Sequence, residues 1–228
     1  MQQSSLTSLD RRRNMVDCQL RTFDVTDLPV LEAFLAVPRE RFLAQADAAV
    51  AYSDAALELR EGQSRRGLLL PMVLARLLQS ADLDQKAKVL DVGGATGYSA
   101  AILAKLAGHV VALESEAGFS AAAASHFAAL GLTNVSTVTG PLQEGAKSQG
   151  PFDVILVNGA VEEGLGHLCS QLAPGGRLLV VKRAPGQVGL AGKATRFDRI
   201  GDEVSASYLF DAAASVVQSF EVKPQFVF

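Results

Sequence analysis

Three glycines and two acids carry the chemistry this sequence can do. In VLDVGGATGYSAA (89–101) an apolar run meets Gly93 and Gly94, then Gly97, and returns to small apolar residues. Asp91 stands just before the first glycine, and Glu114 closes the next strand-like run, HVVALE (109–114). A strand that ends in a glycine turn and feeds a helix lets a ligand approach bare backbone. An acid about 20 residues on, at the end of a second strand, can accept hydrogen bonds from both hydroxyls of a ribose. An acid just before the turn can hold a cationic amine, directly or through water.

Spacing discriminates among the ligands. A dinucleotide fingerprint reads G-x-G-x-x-G; the order Gly93-Gly94-Ala95-Thr96-Gly97 misses it, which disfavours a dehydrogenase. A P-loop fails because Tyr98, and no lysine, follows the last glycine. A ribose, an amine and no phosphate describe S-adenosylmethionine. The segment DVGGATGY (91–98) is similar to the first motif of class I methyltransferases, and Glu114 supplies the second.

These groups need a frame, and the chain supplies one. Five short apolar or β-branched runs, at 88–93, 109–114, 134–139, 152–158 and 176–183, read as strands buried on both faces. Between them 98–107, 116–130 and 161–172 read as helices, the last closed by Pro174-Gly175-Gly176. The expected fold class is α/β: a Rossmann-like class I methyltransferase with a mostly parallel twisted sheet and helices on both faces. KATRFDRI, Gly201-Asp202 and EVSASYLF alternate around a turn dipeptide and predict an antiparallel C-terminal hairpin. Upstream, 8–37 looks helical until Pro38, and Pro71 to Gln79 restarts a helix, so the N-terminal third reads as a helical extension. The expectation is one domain over 1–228, with 1–80 as substrate-side cap and 81–228 as the cofactor-binding core.

Composition sets bounds. A chain of 228 residues, 49% hydrophobic, can bury a sizeable core, and a formal charge of −3 calls for no nucleic-acid or anionic-membrane partner. No uncharged apolar window reaches the ~18 residues of a membrane helix, and the start carries no secretory pattern. The two cysteines, Cys18 and Cys169, form no metal or disulfide framework and read as small packing residues on helices. A cytoplasmic location is the default. The three histidines lack ligand spacing, so no metal site is expected.

Further motifs narrow the reading. MVDCQLR (15–21), VPRERFL (37–43), AYSDAALEL (51–59), GQS (62–64), FDVILVNGA (152–160) and LAPGGRLLVV (172–181) follow the layout of protein-L-isoaspartate O-methyltransferases. The chain resembles that family over nearly its whole length, most weakly after Lys182. The resemblance implies that Asp91, Gly93, Gly94, Ala95, Thr96, Gly97 and Tyr98 line the cofactor, and that Glu114 takes its ribose. It also implies that Gly140, Pro141 and Leu142 border the adenine. Asn158, at the end of the fourth expected strand, points toward the same cleft. The implied reaction is carboxyl methyl-ester formation on isoaspartyl sites of damaged proteins, so the partner is a protein or peptide with an acidic acceptor.

One run departs from the family. Where its members typically carry Gly-Gln-Thr-Ile-Ser-Gln-Pro, this chain reads GQSRRGL, with Ser64 at the threonine, Arg65 at the isoleucine and Arg66 at the serine. Pro141-Leu142 likewise replace an acid followed by glycine. Arg65 and Arg66 are thus either a clamp for an acidic acceptor, with Ser64 standing in for the lost hydroxyl, or exposed loop residues. In the clamp reading Ser64 and Arg66 are catalytic, and Arg66→Ala is expected to abolish acceptor binding while leaving cofactor affinity unchanged. Two alternatives stay open: a methyltransferase of the same build with another acceptor, and a cofactor-binding module without turnover.

Overall fold

The computed structural model describes residues 6–222. Its centre is a seven-stranded sheet. The strands are β3 (Lys88–Val92), β4 (His109–Glu114), β5 (Val135–Thr139), β6 (Phe152–Val161), β7 (Leu172–Lys182), β8 (Ala191–Ile200) and β9 (Glu203–Ala213). The order across the sheet is β5-β4-β3-β6-β7-β8-β9. The first five strands run parallel, whereas β7–β8 and β8–β9 pair antiparallel. The chain therefore leaves β3 in one direction and returns to its other side at β6. Beyond the carboxyl end of β3 lies the switch point where open α/β sheets take ligands.

Alternate residues of each strand enter different cores, as strands covered on both faces require. Val89, Val110, Val154 and Leu179 pack with the N-terminal helices α1 (Ser8–Met15), α2 (Leu28–Ala36) and α3 (Pro71–Gln79) and with α4 (Tyr98–Leu106) and α5 (Ala117–Ala129). Leu90, Val111, Ile155 and Leu178 face the opposite side, with Leu168 of the short α6 (Gly166–Cys169), Leu142 and Phe220. The expected C-terminal hairpin is present. Ile200 pairs with Glu203 across a two-residue turn whose Gly201 has φ of +64°, a conformation that suits glycine.

Three expectations need correction. The helix foreseen over 161–172 shrinks to α6, because β6 runs on to Val161 and Gly164 and Gly166 resist helix formation. Pro174-Gly175-Gly176 closes no helix. It bulges within β7, where pairing with β6 jumps from Phe152↔Leu172 to Val154↔Arg177, and Gly176 fits because a Cβ there would lie 2.9 Å from the Phe152 carbonyl. The helical stretch 8–37 breaks at Asp24 (φ +63°) and restarts at α2, where Asp27 caps the Val30 amide and Pro29 sits in the first turn.

The N-terminal third is also not wholly helical. β1 (Leu57–Glu61) and β2 (Ser64–Leu68) form a hairpin around Gly62-Gln63. Their Glu- and Arg-rich sequence hides them from propensity. Cys18 proves exposed and Cys169 partly buried, so only the second serves as packing. Among the described residues no helix is long and apolar enough to cross a membrane.

Candidate functional site

The glycine turn joins β3 to α4. Gly94 is required by space, since a Cβ there would lie 2.4 Å from Asp91 Oδ2 and 2.8 Å from Ser99 Oγ. Gly97 is required twice over, by φ of +93° and by Phe127, whose ring would stand 2.6 Å from a Cβ. Ala95 adopts φ of +52°, a strained value for a residue with a side chain. Its amide donates to Glu114 Oε1 at 2.8 Å and so ties the turn to the end of β4.

Asp91 lies beneath this turn, 1% exposed. It accepts hydrogen bonds from Asn158 Nδ2 (2.7 Å) and Ser99 Oγ (2.8 Å), and Asn158 also donates to the Val92 carbonyl. Burial pushes the Asp91 carboxyl up to about 7, against the two hydrogen bonds and with help from the negative charge of Glu114. Asp91 is thus a buried acid that titrates near neutrality.

Glu114 ends β4 with its side chain 5% exposed. Arg66, equally buried, reaches it from β2: Nε donates to Oε1 and Nη2 to Oε2, both at 3.1 Å. The amides of Ala95 and Ser115 complete the set, the latter donating to Oε2 at 3.0 Å. A carboxylate has about four lone-pair sites, and all four are taken here. Arg66 is held further by Ser115 Oγ (2.7 Å) and the Arg65 carbonyl (3.0 Å).

The structure thus brings together Arg66, Asp91, Gly93, Gly94, Ala95, Glu114 and Asn158. Leu142 joins them: a Cβ on Gly93 would lie 3.4 Å from its side chain and 4.0 Å from Arg66 Nε. Gly140 borders the same edge, its amide donating to the Glu114 carbonyl, while Pro141 is exposed. Other expected residues go elsewhere. Tyr98 turns away from the cleft, fully buried, with Phe34 and Phe42 edge-on and the Arg39 guanidinium 4.6 Å from its ring centroid. Thr96 spends its hydroxyl on the Phe42 carbonyl, anchoring the turn to the N-terminal segment. Ser64 donates to Glu116 at 2.8 Å, and Arg65 is exposed. Arg66 is therefore neither an open clamp nor an exposed loop residue.

Ser99, Ser115 and the 215–217 segment escaped sequence reasoning. Ser215 and Val217 exchange backbone hydrogen bonds with Ala160, and Val217 packs toward Gly93 and Gly159. Of these, Ser99 alone lies within the glycine-turn stretch 89–101, one residue into α4.

The donor set fits an adenosylmethionine cofactor. The two Glu114 oxygens suit a vicinal diol, and the paired N–H groups of Arg66 already occupy them as a diol's hydroxyls would. The turn offers backbone that no larger residue could supply. Between Asp91, Gly94, Ala95, Glu114 and Ser120 there remains a cavity of ≈ 10 Å³, about the space of one water. In this conformation Arg66 engages both Glu114 oxygens that a ribose would need.

The sequence profile of the protein-L-isoaspartate(D-aspartate) O-methyltransferase family matches residues 11–209. A protein-L-isoaspartate O-methyltransferase of Koribacter versatilis is 42% identical over 178 residues, 78% of each chain. One from Methylorubrum extorquens is 38% identical over 78% of this chain and 76% of its own. A solved protein-L-isoaspartate O-methyltransferase superposes with a TM-score of 0.78 at 26% identity, over 92% of this chain and 67% of that one. A Plasmodium falciparum structure, described as a putative member in complex with S-adenosyl-L-homocysteine, shares the fold (TM-score 0.74, 17% identity, 94% and 99% covered).

Proposed function

The chain belongs to the protein-L-isoaspartate(D-aspartate) O-methyltransferase family, and we propose that its own residues carry S-adenosylmethionine-dependent methyl transfer to the carboxylate of an isoaspartyl residue in damaged protein. The observation that carries this is the link between Glu114 and the Ala95 amide, which sets a ribose acceptor beside bare backbone at the switch point. The cofactor, when bound, supplies a methyl group on a sulfonium, open to in-line displacement.

The acceptor needs little activation. A carboxylate with a pKa of about 4 is already ionised at neutral pH, so no strong general base is required. Holding the acceptor oxygen and the methyl carbon roughly 3 to 3.5 Å apart and in line can supply about 7 to 11 kcal/mol of the barrier. Positioning is therefore the protein's main task.

Glu114 takes the ribose hydroxyls, the turn at Gly93 to Ala95 receives the nucleoside against its backbone, and Leu142 offers an apolar edge to the base. Asp91, oriented by Asn158 and Ser99, holds the cationic end of the cofactor. The elements up to residue 80 form the acceptor-side cap, with β2 carrying Arg66 into the cleft. The reaction acts on proteins, and we place it in the cytoplasm, where the two free thiols persist.

The test is incubation with methyl-labelled adenosylmethionine and an isoaspartyl peptide. Base-labile methyl ester is expected on that peptide and not on its aspartyl isomer. No ester on either would overturn the assignment of acceptor.

A further inference from the structure

We infer that Arg66 is an intramolecular latch on the ribose site, released when an acidic methyl acceptor takes over its guanidinium. The inference deepens the function proposed above and rests on it for the identity of the acceptor.

Geometry makes Arg66 and the cofactor's sugar exclusive. Two parallel N–H donors, Nε and Nη2, each meet a different oxygen of Glu114 at 3.1 Å. A vicinal diol needs the same two oxygens. With the Ala95 and Ser115 amides in place, no lone-pair site is left over. The guanidinium also stands close to the turn, because a Cβ on Gly93 would lie 4.0 Å from Arg66 Nε and 3.4 Å from Leu142. A nucleoside seated on bare backbone there must push it aside.

Displacement leaves a cation in need of a partner. Both members of the pair are buried, with side chains 3% and 5% exposed, and an unpaired charge cannot stay in such surroundings without a large penalty. The neighbouring carboxylate, Glu116, receives the Ser64 and Ser115 hydroxyls on Oε1 and keeps only Oε2 to offer, so it can meet one prong of the guanidinium fork and not both. The anion that the reaction itself brings is the acceptor carboxylate, whose two oxygens match the guanidinium fork. Acceptor and cofactor therefore help one another to bind, and by linkage the effect is the same in both directions. The residue in the family's serine position positions the acceptor and also sets the affinity for cofactor.

The experiment is calorimetric titration of S-adenosylhomocysteine, which cannot turn over, into the full chain and into Arg66→Ser, each with and without a saturating isoaspartyl peptide. In the parent protein the peptide is expected to tighten binding by roughly 5- to 150-fold, the usual range for coupled sites. Arg66→Ser is expected to bind without peptide about as tightly as the peptide-bound parent, and to gain nothing from peptide. Arg66→Lys keeps the charge but cannot grip both oxygens, and should fall between the two; it keeps the test decisive should the serine variant fail to fold. Equal peptide-free affinities in all three proteins overturn the latch. A peptide that leaves the parent's affinity unchanged overturns the release by acceptor. Ester formation reports on the acceptor and the peptide-free comparison on the latch, so the failure of one is distinguishable from failure of the other.

Discussion

Asp91 gives the most quantitative handle on this site. Its carboxyl is raised from 3.8 to about 7, chiefly by burial. At about 1.36 kcal/mol per pH unit, ionising Asp91 in the folded state therefore costs on the order of 4 kcal/mol relative to the unfolded chain. The sign follows from which state holds the proton. The folded state binds it more tightly, so the contribution to stability is fully present below pH 3.8 and is lost as pH rises to about 7. Asp91→Asn keeps the shape, and its amide can still meet Ser99 and Asn158, but it cannot ionise. The difference in unfolding free energy between variant and parent should thus grow in the variant's favour from pH 4 to pH 7, by on the order of 4 kcal/mol, and level off above. Urea unfolding measures it. At roughly 3 kcal/mol/M the midpoints should separate by about 1 M across that range. Other titrating groups cancel in the difference. Midpoints whose separation does not change with pH would refute the claim that this buried acid holds its proton to neutrality.

Glu114→Ala leaves the Arg66 guanidinium buried without its carboxylate, at a cost of about 3 to 5 kcal/mol; the melting temperature should fall by more than about 6 °C, and a drop of a degree or two would show that the pair is worth little. Gly97→Ala combines a left-handed backbone with the 2.6 Å approach of Phe127 and should cost about 2 kcal/mol or more in denaturant unfolding; near-parent stability would mean that the turn has slack. At pH 8 a thiol reagent should modify exposed Cys18 rapidly and Cys169 slowly, because burial raises the latter's thiol pKa. Two thiols reacting at one rate would contradict that environment.

Much of the cofactor side was readable along the chain because its parts are local. A buried strand, a glycine turn and a helix start lie within 88–106, and the acid that closes the next strand follows from the same β–α–β rhythm. The places where reading stopped are equally specific. Tyr98 and Ser99 are neighbours, yet successive helix residues point about 100° apart; Ser99 meets Asp91 while Tyr98 turns to Phe34 and Phe42. The motif could name the turn, but not the side chain that faces inward.

Arg66 shows the other limit. The sequence alone established that an arginine replaces the serine of the resemblance, and that acids and glycines suited to a sulfonium nucleoside lie downstream. It could not say where that arginine goes. The hairpin bearing it pairs charged strands with little β-propensity, and its partner lies 48 residues away in sequence. Only the packed fold, which folds β2 against the carboxyl end of β4 and excludes water from both side chains, makes a buried ion pair the place for its charge.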